Sequence, residues 1–177
     1  HRVISHVRNE PLPDVRKNME QEVIERKFFK RLSVFAPWRM DTKRSLMQCL
    51  DHDLEQMRLE KLIKDEEERG KVIRLIEKMM PYLKELFIDT ITTSDNFPFL
   101  TWLDFVNVTT KGQFIDEKVK SATIDLLFVT VSSYNKSSLG ICRGEFIELL
   151  VRIAKAKYVE SGKVKKISEA FTMLIDQ

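Results

Sequence analysis

Residues 144–158 read GEFIELLVRIAKAKY, and this stretch decides the fold class because its apolar side chains repeat with the period of an α-helix. Side chains three and four positions apart lie on one face of a helix. The apolar face predicted here consists of Phe146, Leu149, Leu150, Ile153, Ala154 and Tyr158. Ser161-Gly162 follows as a helix stop, since glycine is favoured just after a helix end. We therefore expect an amphipathic helix that ends before Gly162.

The segment in front of this helix has the order of an EF-hand calcium loop. Such a loop has an apolar residue at its eighth position and an acid at its twelfth, and phenylalanine often follows the acid. Glu145 matches the acid at the twelfth position, and Phe146 matches the phenylalanine after it. Counting back places Ile141 at the eighth position and Tyr134 at the first. A polar loop is therefore expected between two helices.

An earlier stretch of the chain has the same organisation. An apolar helix expected to end near Ile91 meets a polar loop, and Asp104 with Phe105 closes the loop as Glu145 does in the second. Counting back from Asp104 places Leu100 at the eighth position and Thr93 at the first. Two EF-hand-like helix–loop–helix hairpins are predicted, with two unrelated hairpins matched by chance as the alternative.

The charges of these loops do not suit calcium, which needs several carboxylate oxygens from positions one, three, five and twelve. The first loop offers Thr93, Asp95, Phe97 and Asp104, and the second offers Tyr134, Lys136, Ser138 and Glu145. Lys136 would repel the ion, and Pro98 stands where the first loop needs glycine. Gly140 falls one position late in the second loop. We expect no metal and no cofactor, with Asp95, Asp104 and Glu145 as vestigial loop acids.

The rest of the chain also reads as helical, and the predicted fold class is all-α. Pro11 and Pro13 favour an extended strap before a short helix, over 1–32. A helical region is expected over 33–91, where Asp41 is the predicted N-cap of one helix, Asp65 to Glu68 form a solvated acidic face, and Gly70 and Pro81 are possible breaks. The hairpins and a last helix then occupy 92–177, with a cap at Asp116. Residues 33–177 are expected to form one compact domain.

The net charge of +3 points to no single polyanionic partner, but the charges are unevenly placed. A basic stretch over 26–44 is interrupted by aromatic residues, which is a pattern of nucleic-acid or acidic-protein surfaces and also of a solvated helix face beside a core. Aromatic residues near the first loop are further candidates for contact or for the core. The predicted partner-binding residues are Arg26, Lys27, Lys30, Arg31, Trp38, Arg39, Phe97, Phe99 and Trp102.

The sequence lacks the common motifs of catalytic sites and has no membrane-spanning segment. The five glycines are scattered, so no phosphate-binding loop is formed, and neither a nucleophile elbow nor a zinc-protease motif occurs. Cys49, His52 and Asp53 could supply part of a metal site, but a half-buried cysteine and a solvated histidine are the expected outcome. No run of about 20 apolar residues is present. We expect a non-enzyme of the cytoplasm without membrane segments, with its two cysteines reduced.

Several stretches resemble a helical EF-hand-like module of large ciliary and axonemal proteins of protists. They are SVFAPWRMDT at 33–42, LIKD at 62–65, LKELF at 83–87, IDEK at 115–118 and GEFIELLVRIAKAKY at 144–158, together with Cys49, Asp53 and Phe105. The resemblance covers about residues 33–160 and is most specific at 144–158. Members of this family often have an aromatic residue where this chain has Gly144.

The resemblance implies a cilium or flagellum and a structural role near microtubules or elsewhere in the cytoskeleton. Combined with the loop chemistry, it predicts a non-catalytic protein-docking module whose partners are other proteins of a large assembly. A calcium-responsive sensor with irregular loops is the first alternative. A basic nucleic-acid-binding helical module is the second, and the nearly balanced net charge makes it less favoured.

Overall fold

The computed structural model describes residues 41–92, 94, 96–116, 119–134 and 140–176. Contacts between Cα atoms divide the chain into two units, His1–Met47 and Gln48–Gln177. The described residues form helices and one isolated antiparallel bridge, so the all-α prediction is confirmed for them. The strap and short helix predicted over 1–32 lie outside the described residues, and the predicted domain boundaries stay predictions.

The helices of the described residues follow one another along the chain with short connections. They are α1 (Lys43–Gln56), α2 (Leu59–Leu62), α3 (Glu66–Ile91), α4 (Trp102–Lys111), α5 (Ser121–Ser132), α6 (Arg143–Ala154) and α7 (Ile167–Ile175). A π-helical turn, Lys155–Val159, continues directly from α6.

The start of α1 corrects the expectation that Asp41 caps this helix. The hydroxyl of Thr42 accepts a hydrogen bond from the backbone N–H of Ser45 (3.2 Å). The hydroxyl of Ser45 in turn accepts one from the backbone N–H of Thr42 (2.9 Å). This reciprocal pair satisfies free N–H groups at the helix start. Thr42 therefore takes the N-cap position predicted for Asp41, and the helix begins at Lys43.

The long helix α3 continues through both of its expected breaks. Gly70 and Pro81 lie inside it, and Asp65 caps its start by accepting a hydrogen bond from the N–H of Glu67 (3.1 Å). One buried stripe runs along the helix and comprises Val72, Ile76, Met80, Leu83, Phe87 and Ile91. Burial of six large side chains at about 1.5–3 kcal/mol each outweighs the cost of about 3 kcal/mol for an internal proline.

Helix α5 also begins later than predicted. The carboxylate of Asp116 accepts a hydrogen bond from the N–H of Val119 (2.8 Å), and this contact closes a turn in front of the helix. The helix itself begins at Ser121, with Lys120 at the N-cap position and without a capping side chain. Asp116 therefore shapes the approach to the helix and does not cap it.

Helix α6 lies at the centre of the core and packs against α3, α5 and α7. The apolar face predicted for it is confirmed, since every residue of that face is buried. The opposite face is buried too, including Ile147, Val151 and two acids, Glu145 and Glu148. The helix is therefore enclosed on all sides, which an amphipathic pattern does not predict.

The end of this helical stretch agrees with the predicted stop. The π-helical turn ends at Val159, and Gly162 has a φ of +76°. Helix α7 follows, and its start is capped from α3, where the carboxylate of Glu68 accepts a hydrogen bond from the N–H of Ser168 (2.8 Å). Burial raises the pKa of Glu68, but the hydrogen bonds from Ser168 outweigh it and hold the pKa below its ordinary value. Glu68 thus ties α7 to α3.

Candidate functional site

The two predicted loops meet at a single pair of residues. The backbone N–H of Leu100 donates to the carbonyl of Ile141 (2.9 Å), and the N–H of Ile141 donates to the carbonyl of Leu100 (3.0 Å). Both side chains are fully buried. These are the two residues that the sequence places at the eighth position of each loop. The loops are thereby joined by a reciprocal antiparallel bridge.

The residues after the bridge repeat one arrangement in both loops. Asp104 accepts a hydrogen bond from the N–H of Thr101 (3.1 Å), and the Thr101 hydroxyl accepts one from the N–H of Asp104 (3.3 Å). In the second loop, Glu145 accepts from the N–H of Cys142 (2.8 Å), and the Cys142 side chain accepts from the N–H of Glu145. Each helix after the bridge, α4 and α6, therefore begins with a capping box.

The loop acids are consequently directed at the chain's own backbone. Burial raises the pKa of Asp104, but hydrogen bonds from Thr101 and Ser94 outweigh it, so the pKa lies below its ordinary value. Glu145 is 2% exposed. Asp95 lies outside the described residues. Across the described ranges, no group of three or more His, Cys, Asp and Glu residues is arranged to hold a metal ion.

Aromatic rings connect the helices on either side of the two loops. Phe146 contacts Phe87 of α3 and Phe105 of α4, with ring centroids 5.5 Å and 6.3 Å apart. Phe105 contacts Phe128 of α5 at 5.8 Å. Phe105, which follows Asp104, thus packs against α5, the helix before the second loop. Phe146, which follows Glu145, packs against α3, the helix before the first loop. This crossed packing fixes the two hairpins against each other.

The predicted contact residues separate into two groups. Trp102 is half-buried and packs edge-on against Phe128, with centroids 5.2 Å apart, so it closes the aromatic cluster. Phe99 is half-buried, whereas Phe97 is 70% exposed. Phe97 therefore remains available for contact with another molecule. The remaining predicted contact residues lie outside the described residues, and they are Arg26, Lys27, Lys30, Arg31, Trp38 and Arg39.

A buried charge network in α6 was not predicted from the sequence. Glu148 is fully buried, and one of its oxygens accepts hydrogen bonds from the Arg152 guanidinium (2.7 and 2.8 Å). The other oxygen accepts from the backbone N–H of Arg58 (2.7 Å). Arg152 also lies 3.4 Å from the hydroxyl of Tyr134, and the Arg58 guanidinium lies 4.4 Å above the Tyr134 ring. The first position of the second loop is therefore surrounded by cations.

The Cys49, His52 and Asp53 cluster is a structural contact. Asp53 is buried and forms a bidentate ion pair with Arg143 at 2.7 and 3.0 Å. Cys49 is half-buried and His52 is exposed, as expected from the sequence. A Cβ atom at Gly144 would lie 2.5 Å from the carbonyl oxygen of Asp53. Glycine at this position allows α1 to approach the start of α6, and an aromatic side chain would not fit.

A groove of about 680 Å³ lies among α3, α4 and α7. Its apolar lining comes from Leu86, Val108, Phe114, Leu150 and Leu174, and its polar lining includes Asp89, Asn107 and Lys111. The sequence analysis missed this groove because its walls come from segments that are far apart in the chain.

The comparisons with known proteins were made with family models, with curated proteins and with solved structures. No match was found in any of them. In the part of the chain that is described, no helix has both the length and the apolar character needed to cross a bilayer. The function therefore has to be inferred from the geometry of the loops and of the surface.

Proposed function

We propose that the two hairpins form a metal-free EF-hand-like pair and that the protein is a non-catalytic docking module of a larger assembly. The bridge between Leu100 and Ile141 is the observation that carries the proposal, since the residues that hold the same position in the two loops are paired with each other. Counting back from Asp104 and Glu145 in the sequence leads to the same two residues.

Matched positions on either side of the bridge support the same proposal. Five pairs of residues, one member from each hairpin, have the same spacing along the sequence. The pairs are Leu83 and Ile124, Phe87 and Phe128, Leu100 and Ile141, Asp104 and Glu145, and Phe105 and Phe146. The apolar members of these pairs are all buried, and both acids form capping boxes. Two unrelated hairpins would have no reason to agree at so many positions.

The chemistry of the loops supports a metal-free pair. Asp104 and Glu145 hold backbone N–H groups, so a bound calcium ion would compete with the caps of α4 and α6. Tyr134 contacts Arg58 and Arg152, which would repel a divalent cation at the first position of the second loop. Calcium binding would therefore break both capping boxes and place a divalent cation beside Arg58 and Arg152.

Calcium is expected to produce neither heat nor a stability change in the full chain at concentrations up to about 1 mM. A site with a dissociation constant of about 10 µM would stabilise the fold by about 2.7 kcal/mol at that concentration. Isothermal calorimetry and a thermal melt with and without calcium measure this directly. A saturable isotherm with a raised melting temperature would instead establish the calcium sensor.

A non-catalytic role is supported by the state of the one cysteine next to the loops. Burial raises the pKa of the Cys142 thiol to about 11, so the thiol is protonated at neutral pH and is a poor nucleophile. Glu145, which accepts a hydrogen bond from the backbone N–H of Cys142, is held in the capping box. Neither group is positioned to activate a substrate.

The ciliary location is proposed from the sequence resemblance over about residues 33–160. Such a module would bind other proteins of the axoneme or another microtubule-associated assembly, and the basic stretch over 26–44 would face an acidic surface. Phe97 adds an exposed aromatic side chain at the first loop. Nucleic acid is the competing partner for the basic stretch, and binding to it would fall steeply with salt.

Reversal of charge in the basic stretch is expected to weaken co-sedimentation with microtubules. Arg26→Glu with Lys27→Glu replaces attraction by repulsion towards the acidic microtubule surface, and we expect a loss of about tenfold in affinity. The control is Lys111→Glu with Lys120→Glu, which makes the same change in net charge at two exposed positions. Unchanged binding of the first variant at physiological salt would contradict the proposal, and preferential binding to single-stranded RNA would favour the nucleic-acid alternative.

A further inference from the structure

A second surface groove, between α3 and α7, is rich in positive charge. It has a volume of about 400 Å³, and its lining includes Lys71, Arg74, Leu75 and Lys78 of α3 with Glu169 and Thr172 of α7. Residues three and four positions apart share one face of a helix, so the three cations lie along one side of α3. None of these residues lines the apolar groove among α3, α4 and α7.

Two of these cations form no ion pair with the described part of the chain. Lys71 forms an ion pair with Glu67 on its own helix (2.5 Å). For Arg74 and Lys78, no carboxylate oxygen of the described residues lies within ion-pair distance, and both side chains are exposed. Their positive charge is therefore directed at the solvent in front of the groove.

The positive surface continues beyond this groove. Lys71 also lines a neighbouring groove of about 460 Å³, whose charged lining consists of Lys64, Lys71, Lys165 and Lys166 with Asp65, Glu67 and Glu68. Lys71 lowers the pKa of Glu67 most strongly, by its hydrogen bond and its charge, and Lys166 and Arg74 lower it further. Cations from α3 and from the segment before α7 thus act on the same carboxylate. The two grooves share Lys71 and are lined together by six cations and four acids, so they form one surface with an excess of positive charge, which we name the α3–α7 surface.

We propose that the α3–α7 surface binds a carboxylate-rich peptide segment of a partner protein. Single carboxylates on an extended segment can pair with the separate ammonium groups of the lysines and with the guanidinium of Arg74. Leu75 provides an apolar contact between the cations for the stem of a glutamate side chain. The charges on the two sides are complementary, which favours both the rate and the specificity of association.

The composition of the surface favours a peptide over the other polyanions. Four acids line the grooves among the cations, namely Asp65, Glu67, Glu68 and Glu169. They would repel the uniform charge of a phosphodiester backbone, whereas a peptide can place neutral residues opposite them. None of the described residues that line the two grooves is aromatic, so these residues do not offer the stacking contacts used for single-stranded nucleic acid. A flat anionic bilayer would not follow the concave grooves.

This inference goes beyond the proposed function and does not depend on it. It uses neither the loop chemistry nor the basic stretch over 26–44. A protein that bound calcium, or that failed to bind microtubules, could still bind an acidic peptide here. Loss of one proposal therefore leaves the other open to its own test.

The test uses the full chain and a fluorescein-labelled synthetic peptide in which glutamates alternate with glycines. Fluorescence anisotropy at physiological ionic strength should show saturable binding, and the same peptide with glutamine in place of glutamate should not bind. Arg74→Glu with Lys78→Glu should weaken binding by about tenfold. Lys111→Glu with Lys120→Glu, which makes the same change in net charge away from the α3–α7 surface, should leave binding unchanged. Circular dichroism confirms that each variant is folded.

Three results would overturn the proposal. The first is the absence of binding of the glutamate peptide to the unmodified chain. The second is equal weakening by both double variants, since that would indicate attraction by net charge alone. The third is tight binding of a single-stranded oligonucleotide or of vesicles rich in phosphatidylserine that the Arg74 and Lys78 changes abolish, while the peptide binds weakly or not at all.

Discussion

Glu148→Gln is expected to lower the free energy of unfolding by about 3–5 kcal/mol. The carboxylate is fully buried and accepts hydrogen bonds from the Arg152 guanidinium and from the backbone N–H of Arg58. Glutamine keeps the shape of the side chain but removes its charge, so the guanidinium of Arg152 stays largely buried without a counter-charge. Urea denaturation followed by circular dichroism measures the change.

The chain contains a matched control for this substitution. Glu67 and Lys71 form a second ion pair at the same spacing along a helix, but the Glu67 side chain is 77% exposed. Glu67→Gln is expected to leave the free energy of unfolding nearly unchanged, because exposed pairs of this kind contribute little. Equal effects of the two substitutions would mean that burial does not determine how much the ion pair of Glu148 and Arg152 contributes to the free energy of unfolding.

Gly140→Ala is expected to lower the free energy of unfolding by about 2–6 kcal/mol. Gly140 has a φ of +143°, where residues with a Cβ are strained by about 1–3 kcal/mol. An added Cβ would also collide with the carbonyl group of Leu100, which accepts the hydrogen bond from Ile141. Overpacking of this kind costs a further 1–3 kcal/mol or so. The substitution should therefore weaken the bridge that joins the two hairpins.

Gly162→Ala separates the cost of backbone strain from the cost of the collision with Leu100. Gly162 also has a positive φ, of +76°, but no atom lies within 4 Å of an added Cβ. We expect a loss of about 1 kcal/mol, which comes from backbone conformation alone. Urea denaturation of both variants gives the comparison. If the two losses were equal, the collision with Leu100 would have no energetic role, and the bridge would tolerate a shift of the second loop.

The local periodicity of the sequence was sufficient to predict several elements. The apolar face of α6 and its stop near Gly162 follow from side-chain spacing and from glycine, both of which act within a few residues. The positions of Leu100 and Ile141 followed from counting back from two acids. Local rules also gave the half-buried Cys49 and the exposed His52. The partner and the cellular location stay proposals, since nothing in the structure tests them.

Burial in the folded chain decided what local rules could not. Gly70 and Pro81 look like breaks, yet α3 passes through both because a continuous stripe is buried against other helices. Helical periodicity predicts no partner for Glu148, Asp53 or Glu68. In the structure these acids are buried beside partners that lie far away in the sequence, Arg58, Arg143 and Ser168.

The sequence by itself determined that the described chain is helical and where its two loops are most alike. Only the tertiary structure determined that Leu100 and Ile141 meet, that Asp104 and Glu145 cap helices, and that cations of α3 and of the segment before α7 share one surface. The physical reason is range. Periodicity and capping act within about one helical turn, whereas hydrogen bonds and charges act between any groups that folding brings within a few ångströms.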